Sequence, residues 1–489
     1  MTNSSQPGAS VHVLIIGAGF GGLGLAIQLQ KAGIHDFLIL EKGSDVGGTW
    51  RDNSYPGAAC DVPSHLYSFS FEPKADWSRK FAPQAEIFAY QRHCADKYGL
   101  RRHIRFSCEV EGAEFDEPSG TWQVRTRSGE RFRTRALVSA CGQLNRPVWP
   151  RIPGLEGFKG ALFHSAGWNH DYPLDGKRVA VIGTGASAIQ FVPQIAPKVA
   201  KLSLFQRSAA YVIPKPDRAY RSWERALMRR LPWLQKVDRV LKYIQHESRV
   251  LAFTVIPPLM KLMQFRFRQH LARGIADPAL RQRLVPDYPL GCKRILISND
   301  FYPALARPNV EVIDDGIGEV TENAVVTRDG QRHEVDAIIL GTGFAATDFL
   351  APMSIRGRGG RDLNQAWQAG AEAYLGVSVS GFPNLFILYG PNTNLGHNSI
   401  IYMLESQFRY VLDGIRALQG LRYLDLKPEV QQRFNQRLQR DVRHTVWEQG
   451  CNSWYKTADG RNTNNWPGFT FSYRQQTRRL ELDLYECTR

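Results

Sequence analysis

Two apolar rhythms share this chain. Over Val11–Ile16 the residues are almost all apolar and mostly β-branched or leucine (VHVLII), the mark of a strand buried on both faces. The run passes directly into Gly17-Ala-Gly19-Phe20-Gly21-Gly22 and then LGLAIQLQKAG, where the apolar spacing becomes helical. A second strand, DFLILE, ends on Glu41. The same order returns at Lys177–Gln190 (KRVAVIGTGASAIQ), followed by the strand LSLFQ. Further strands are predicted within 104–126, at Ala136–Gly142, in RPNVEVID and at Glu334–Phe344, and helices over 83–100 and after FPNLFILYGPNTN. This alternation predicts an α/β protein with two Rossmann-like dinucleotide-binding domains. The three prolines of Arg146–Leu155 mark a linker. The expected division is 1–148, 149–344 and 345–489, the first and last parts forming one discontinuous domain around the middle one.

The turns carry the chemistry. Gly17 permits the tight turn, Gly19 lets backbone approach a pyrophosphate, and Gly22 lets helix pack on strand, while the helix N-terminus, starting near Phe20, offers free N–H groups. Glu41 lies 24 residues after Gly17, where a carboxylate accepts a ribose hydroxyl and repels a 2′-phosphate; that favours FAD. In the second copy, Gly183-Thr184-Gly185-Ala186-Ser187-Ala188 and Gln190 form the turn and helix start, with alanine in the third glycine's place. Arg207 lies 24 residues after Gly183, the same offset with the opposite charge, and Ser208 adds a hydroxyl. A guanidinium there accepts a 2′-phosphate, so this cradle prefers NADPH to NADH. The loop after Glu41 is rich in turn formers and aromatic residues; Gly47-Gly48-Thr49-Trp50 is suited to wrap an isoalloxazine ring, and Asp61 sits in the same loop.

Composition narrows the picture. A chain of 489 residues, 43% apolar and 22% charged, fits a globular protein of two or three domains. Its seven cysteines are scattered without a CxxC, which predicts reduced thiols in a cytoplasmic protein, with neither a disulfide framework nor a metal site. The opening MTNSSQPGAS has no signal-peptide pattern. The net charge of +16 is uneven: Arg218–Arg283 holds fifteen Lys/Arg against four Asp/Glu. An anion-binding cleft, a membrane-facing surface and a solvated surface all accommodate that excess; nucleic acid is not the favoured partner. The segment 218–283 reads as helices interrupted at Pro232 and Pro257-Pro258, a buried insertion in the second domain in preference to an amphipathic membrane contact.

Phe158-Lys-Gly160-Ala-Leu-Phe-His164-Ser-Ala-Gly-Trp168-Asn169 matches the fingerprint FxGxxxHxxxW that is followed by Pro or Asp, with Asn169 at the last place. With the two cradles, it makes the chain resemble, over nearly its whole length, the class B flavoprotein monooxygenases, and within them the type I Baeyer–Villiger enzymes; Trp168 separates these from the N- and S-oxidising branch. The resemblance implies FAD and NADPH as cofactors and a 4a-peroxyflavin that inserts one atom of O₂ beside a ketone carbonyl, giving an ester or lactone. It implies that Arg294, in GCKR, stabilises the peroxide, that Asp61 pairs with it, and that Lys293 contacts the 2′-phosphate. Trp454 matches a residue near the nicotinamide, and Gly48, Thr49, Trp50, Tyr67 and Val110 match flavin contacts. His164 becomes a linker that couples domain movements. Linear, cyclic and aromatic ketones all fit, as do a monomer and a homo-oligomer. Competing readings are an N- or S-oxygenating monooxygenase, a flavin disulfide reductase (which needs two neighbouring redox cysteines), and a non-catalytic basic nucleotide- or membrane-binding module.

Overall fold

The computed structural model describes residues 9–255 and 259–489. The residues MTNSSQPG and the Pro257-Pro258 break lie outside that description. Strand β1 (Ser10–Ile16) leads through the glycine turn into helix α1 (Phe20–Lys31). With β2 (Phe37–Leu40), β3 (Ile104–Arg105), β4 (Val110–Asp116), β5 (Thr121–Thr126) and β6 (Arg131–Ser139) it forms one sheet, ordered β4-β5-β6-β1-β2-β3. Strands β6, β1, β2 and β3 run parallel, and β4, β5 and β6 form an antiparallel meander. Two strands from far along the chain complete the sheet: Ser354–Arg356 pairs with β4, and Leu385–Ile387 with the C-terminal half of β6.

The near-continuous apolar run of β1 has its reason in this arrangement. Val13 and Ile15 enter a core shared with α1 and the Ile400–Ala417 helix, while Leu14 and Ile16 enter the opposite core with Val110, Trp122 and Leu137. Both faces are covered, so both must be apolar.

A second sheet is wholly parallel. It contains β7 (Ala161–His164), β8 (Arg178–Ile182) and β9 (Lys201–Phe205), with Val310–Ile313 beside β9 and Ala337–Leu340 between β8 and β7. An antiparallel meander over Ile317–Glu334 is attached to it, which the sequence reading did not separate from the neighbouring strands.

The segment 218–283 departs from its expected burial. It folds as helices Ser222–Arg230, Pro232–Glu247, Leu259–Gly274 and Pro278–Arg283, with a single π turn at Leu251–Val255. Pro232 starts a helix, as a residue that lacks an N–H can at no loss. Phe253, Met260, Phe267 and Leu271 are in the core, but Trp233, Leu241, Ile244, Leu262 and Phe265 are exposed. The cause is the polar side of Pro232–Glu247, which is the side that docks: Gln235, Lys242 and His246 are buried there, and Glu247 at the helix end accepts from the Thr470 N–H (2.6 Å) and hydroxyl (2.7 Å) and from Asn398 Nδ2 (2.7 Å). Among the described residues no single helix is long and apolar enough to cross a membrane.

The expectation of seven separate thiols is also corrected. Cys292 and Cys451, 159 positions apart, form a disulfide, and the other five cysteines are free. Pairing depends on Cα proximity in the fold, here 6.2 Å, and spacing along the chain does not reveal it.

Candidate active site

The two glycine turns open onto one cleft of about 1910 Å³. Gly17 and Gly183 have φ of +103° and +110°, the left-handed region open to glycine. A Cβ on either would lie 2.8 Å from the Ala140 carbonyl oxygen or 2.5 Å from that of Gly341. Each first glycine therefore packs on the carbonyl that ends the adjacent parallel strand, and the two cradles are built alike. Gly22 is the one expected site residue that does not line the cleft: its Cβ would fall 1.9 Å from the Gly17 oxygen, so it serves close packing of α1 behind the turn. A side chain at Gly19 would meet only Gly48 Cα, at 3.8 Å, so the room it would take is the cleft itself. The bare backbone there suits a pyrophosphate.

In the first cradle, Glu41 is almost fully buried and accepts from the Ala18 N–H (2.8 Å), the Gly43 N–H (2.7 Å) and Arg51 Nη1 (2.9 Å). Arg51 thus orients the carboxylate, a role the sequence reading missed. Phe20, Gly48, Thr49, Trp50, Tyr67 and Val110 all line the same wall. Trp50 Nε1 donates to the Tyr67 hydroxyl (3.2 Å), and the Tyr67 ring meets Phe20 edge-on at 5.4 Å. Gln91 is fully buried on this wall, yet its amide nitrogen and oxygen have no partner among the described residues; Gln143 Oε1, also on the wall, lacks one too. Unpaired buried amides are costly unless a ligand or water completes them, so these residues fit a polar cofactor.

The second cradle gathers Gly183, Thr184, Gly185, Ala186, Ser187, Gln190, Arg207, Ser208 and Lys293 on the opposite wall. Arg207 is exposed at the end of β9, Lys293 Nζ donates to the Ser208 hydroxyl (3.2 Å), and it lies over the Tyr288 ring at 4.2 Å. Burial, helped by the nearby Arg207 charge, lowers the pKa of Lys293. Two cations and a hydroxyl thus face the cleft in this cradle, an arrangement suited to an anionic group. Gln190 turns away to join the two halves: Nε2 donates to the Ala59 carbonyl (2.9 Å) and Oε1 accepts from the Tyr55 hydroxyl (2.9 Å).

Arg294 and Asp61, 233 positions apart, meet on the floor of this cleft. Nε and Nη2 of the guanidinium reach one carboxylate oxygen at 3.2 and 2.5 Å. Burial opposes ionisation of Asp61, but the guanidinium outweighs it and holds the carboxyl below its ordinary range. The Asp61 charge in turn outweighs burial at Arg294 and raises its pKa. The pair is therefore a fixed cation with a built-in counter-charge, and Lys215 adds to the field at Asp61. Tyr389 stands close enough to Arg294 to feel its charge, lines the cleft, and holds φ +59°, a left-handed conformation that bulky residues avoid. Sequence reasoning passed over it, although the Gly-Pro-Asn that follows was the available sign of an unusual turn.

Trp454 does reach the cleft, with Asn452 and Ser453, whereas Tyr455 beside it and Trp466 and Tyr473 further on are buried in the cores. His164 ends β7, is buried, accepts from the Ala166 N–H at Nδ1 (3.0 Å), and meets Phe344 edge-on at 5.8 Å. It does not line the cleft. Trp168 packs on Phe163 and Phe191, both at 5.3 Å. Asn169 Oδ1 accepts from the Asp171 N–H (3.1 Å), a local turn contact that an aspartate makes equally well.

Comparison with known proteins agrees with this geometry. Residues 14–231 match the family of pyridine nucleotide-disulphide oxidoreductases. The disulfide found here lies outside the cleft lining, and Cys60, Cys108 and Cys141, which line the cleft, are free thiols. The whole chain is 50% identical to a Baeyer-Villiger monooxygenase of Pseudomonas aeruginosa, covering 94% of that protein. A steroid monooxygenase bound to NADP superposes with a TM-score of 0.87 at 34% identity, over 96% of this chain and 97% of the other. The OTEMO complex with FAD and NADP does so with a TM-score of 0.89 at 27% identity, over 99% and 100%. Two like cradles of opposite charge preference, a cation fixed between them and full-length identity at this level have one common explanation: the chain belongs to the Baeyer–Villiger monooxygenases.

Proposed function

We propose that the protein uses FAD, NADPH and O₂ to insert one oxygen atom beside a ketone carbonyl; ketone, O₂, NADPH and a proton become ester or lactone, NADP⁺ and water. The Arg294–Asp61 pair at the meeting of the two cradles is the observation that carries this reading. Bound flavin supplies the electron-transfer and oxygen chemistry. The chain supplies position and charge. The turn at Gly17–Gly19 with Glu41 holds FAD, and the turn at Gly183–Gly185 with Arg207, Ser208 and Lys293 holds NADPH. Arg294 keeps a positive charge where negative charge develops, and arginine remains charged even when partly desolvated. Asp61 fixes the direction of that charge. Trp454 closes the nicotinamide end and excludes water. This reading assigns residues 1–148 and 345–489 to FAD and 149–344 to NADPH, and it sets the enzyme in the cytoplasm, where NADPH is supplied.

Purified protein should show a flavin absorption spectrum, oxidise NADPH faster with ketones, and release an ester identified by mass spectrometry. Arg294→Ala should still reduce its flavin with NADPH yet lose ester formation by about 100-fold or more. Ester formation at the wild-type rate in that variant would remove the role given to Arg294, and wild-type protein that oxidises only amines or thioethers would remove the reaction class.

A further inference from the structure

The Pro232–Glu247 helix sits inside out. Gln235, Lys242 and His246, spaced to fall on one side, are buried, and Glu247 is buried at the helix's last position. That side is held by polar contacts: Gln235 Nε2 donates to the Met228 carbonyl (2.8 Å), and Arg239 Nη1 donates to the carbonyls of His65 (2.8 Å) and Ser68 (2.7 Å); the helix end is held by Glu247 as above. About half a turn away, Trp233, Val237, Val240, Leu241 and Ile244 are between 44% and 62% exposed. The Ser222–Arg230 helix, packed beside it, adds exposed Trp223 and Leu227, and the next helix in the chain, Leu259–Gly274, exposes Leu259, Leu262 and Phe265. With Leu231, eleven of the sixteen large exposed apolar side chains of the described residues fall within 223–265. A cluster on this scale is not scattered surface apolarity, and it calls for an occupant.

Charge identifies the occupant. Over the described residues of 221–274, Arg221, Arg229, Arg230, Lys236, Lys261 and Arg266 are among nine exposed Lys/Arg, while Glu224, Asp238 and Glu247 are each wholly or partly buried. A second copy seated on the same face would set cations against cations. An apolar stripe carrying tryptophan, flanked by cations in clear excess over acids even though Arg229 is paired with Asp76 (3.2 Å) and Asp277 is exposed nearby, complements an anionic bilayer, where apolar side chains enter the headgroup boundary and lysine and arginine meet phosphates. We infer that the Pro232–Glu247 helix and its neighbours dock the enzyme flat on an anionic membrane surface. The helix lies in the interface and does not cross it, since half its circumference is committed to the protein. The inference stands on exposure and charge, and would hold whichever substrate the cleft accepts.

The test is co-sedimentation of the flavin-loaded enzyme with vesicles of phosphatidylglycerol and phosphatidylcholine, and of phosphatidylcholine alone, with light scattering for oligomeric state. Wild type should pellet with the anionic vesicles and far less with the neutral ones. The variant Trp233→Ser/Leu241→Ser should lower the bound-to-free ratio about tenfold or more, with flavin content and NADPH oxidation in solution unchanged. Lys236→Glu/Lys261→Glu/Arg266→Glu should do the same without touching the apolar stripe, and so separates docking from any loss of folding in the first variant. Failure of wild type to bind anionic vesicles, binding by both variants as by wild type, or a dimer that the first variant dissolves would each overturn the inference, the last in favour of self-association.

Discussion

Lys293 owes its place to Ser208 and Tyr288, and its depressed pKa to burial and Arg207. A charge-assisted contact of this kind contributes about 1.5–3 kcal/mol. Lys293→Ala should therefore raise KM for NADPH by roughly 10- to 100-fold and leave KM for NADH almost unchanged, as steady-state kinetics with the two nucleotides will show. Equal losses with both would disprove the 2′-phosphate role. Arg207 and Glu41 were legible in the sequence because the strand–turn–helix unit fixes their distance from the first glycine. Arg51 and Tyr389 were not. Arg51 matters through a contact with Glu41 made across a loop, and Tyr389 through a left-handed backbone conformation at which only the following Gly-Pro-Asn hinted. Arg294 and Asp61 were legible only by resemblance, for nothing local announces a pair separated by 233 positions.

At the scale of elements, helix α1 rests on a contact only glycine allows. Gly22→Ala places a methyl 1.9 Å from a backbone oxygen that cannot rotate away, so helix and turn must part. The cost should be about 1–3 kcal/mol or more, read as a lower unfolding temperature together with loss of bound flavin on gel filtration. Unchanged flavin content would show that the turn tolerates the shift. The second cradle carries Ala188 at the equivalent place, so the demand belongs to the first turn and not to the motif. Sheets and helices of the two cradles were readable because local period and turn chemistry agree there. The Pro232–Glu247 helix was readable as a helix, but its orientation was not. Periodicity reveals two faces, and which one docks depends on partners such as Asn398 and Thr470 that arrive much later in the chain.

Across the whole molecule, the Cys292–Cys451 bond joins the loop that carries Lys293 and Arg294 to the loop that carries Trp454. A crosslink over so long a loop typically contributes about 2–4 kcal/mol, by restricting the unfolded chain. Cys292→Ser/Cys451→Ser should unfold at lower temperature than wild type, and reductant should lower the wild-type midpoint towards it while leaving the variant unmoved. Identical midpoints in all four cases would show that the bond adds no stability. Such bonds are rare in reducing compartments, so the same measurement reports how the enzyme responds to the redox state around it.

Strand β6 has a consequence for biosynthesis. Its last residues, which lead into the Ala140 carbonyl under Gly17, find their second neighbour only in Leu385–Ile387. A chain leaving the ribosome must therefore keep that edge bare while the whole middle unit is made, and bare edges invite foreign strands. The flavin's seat is begun first and finished last.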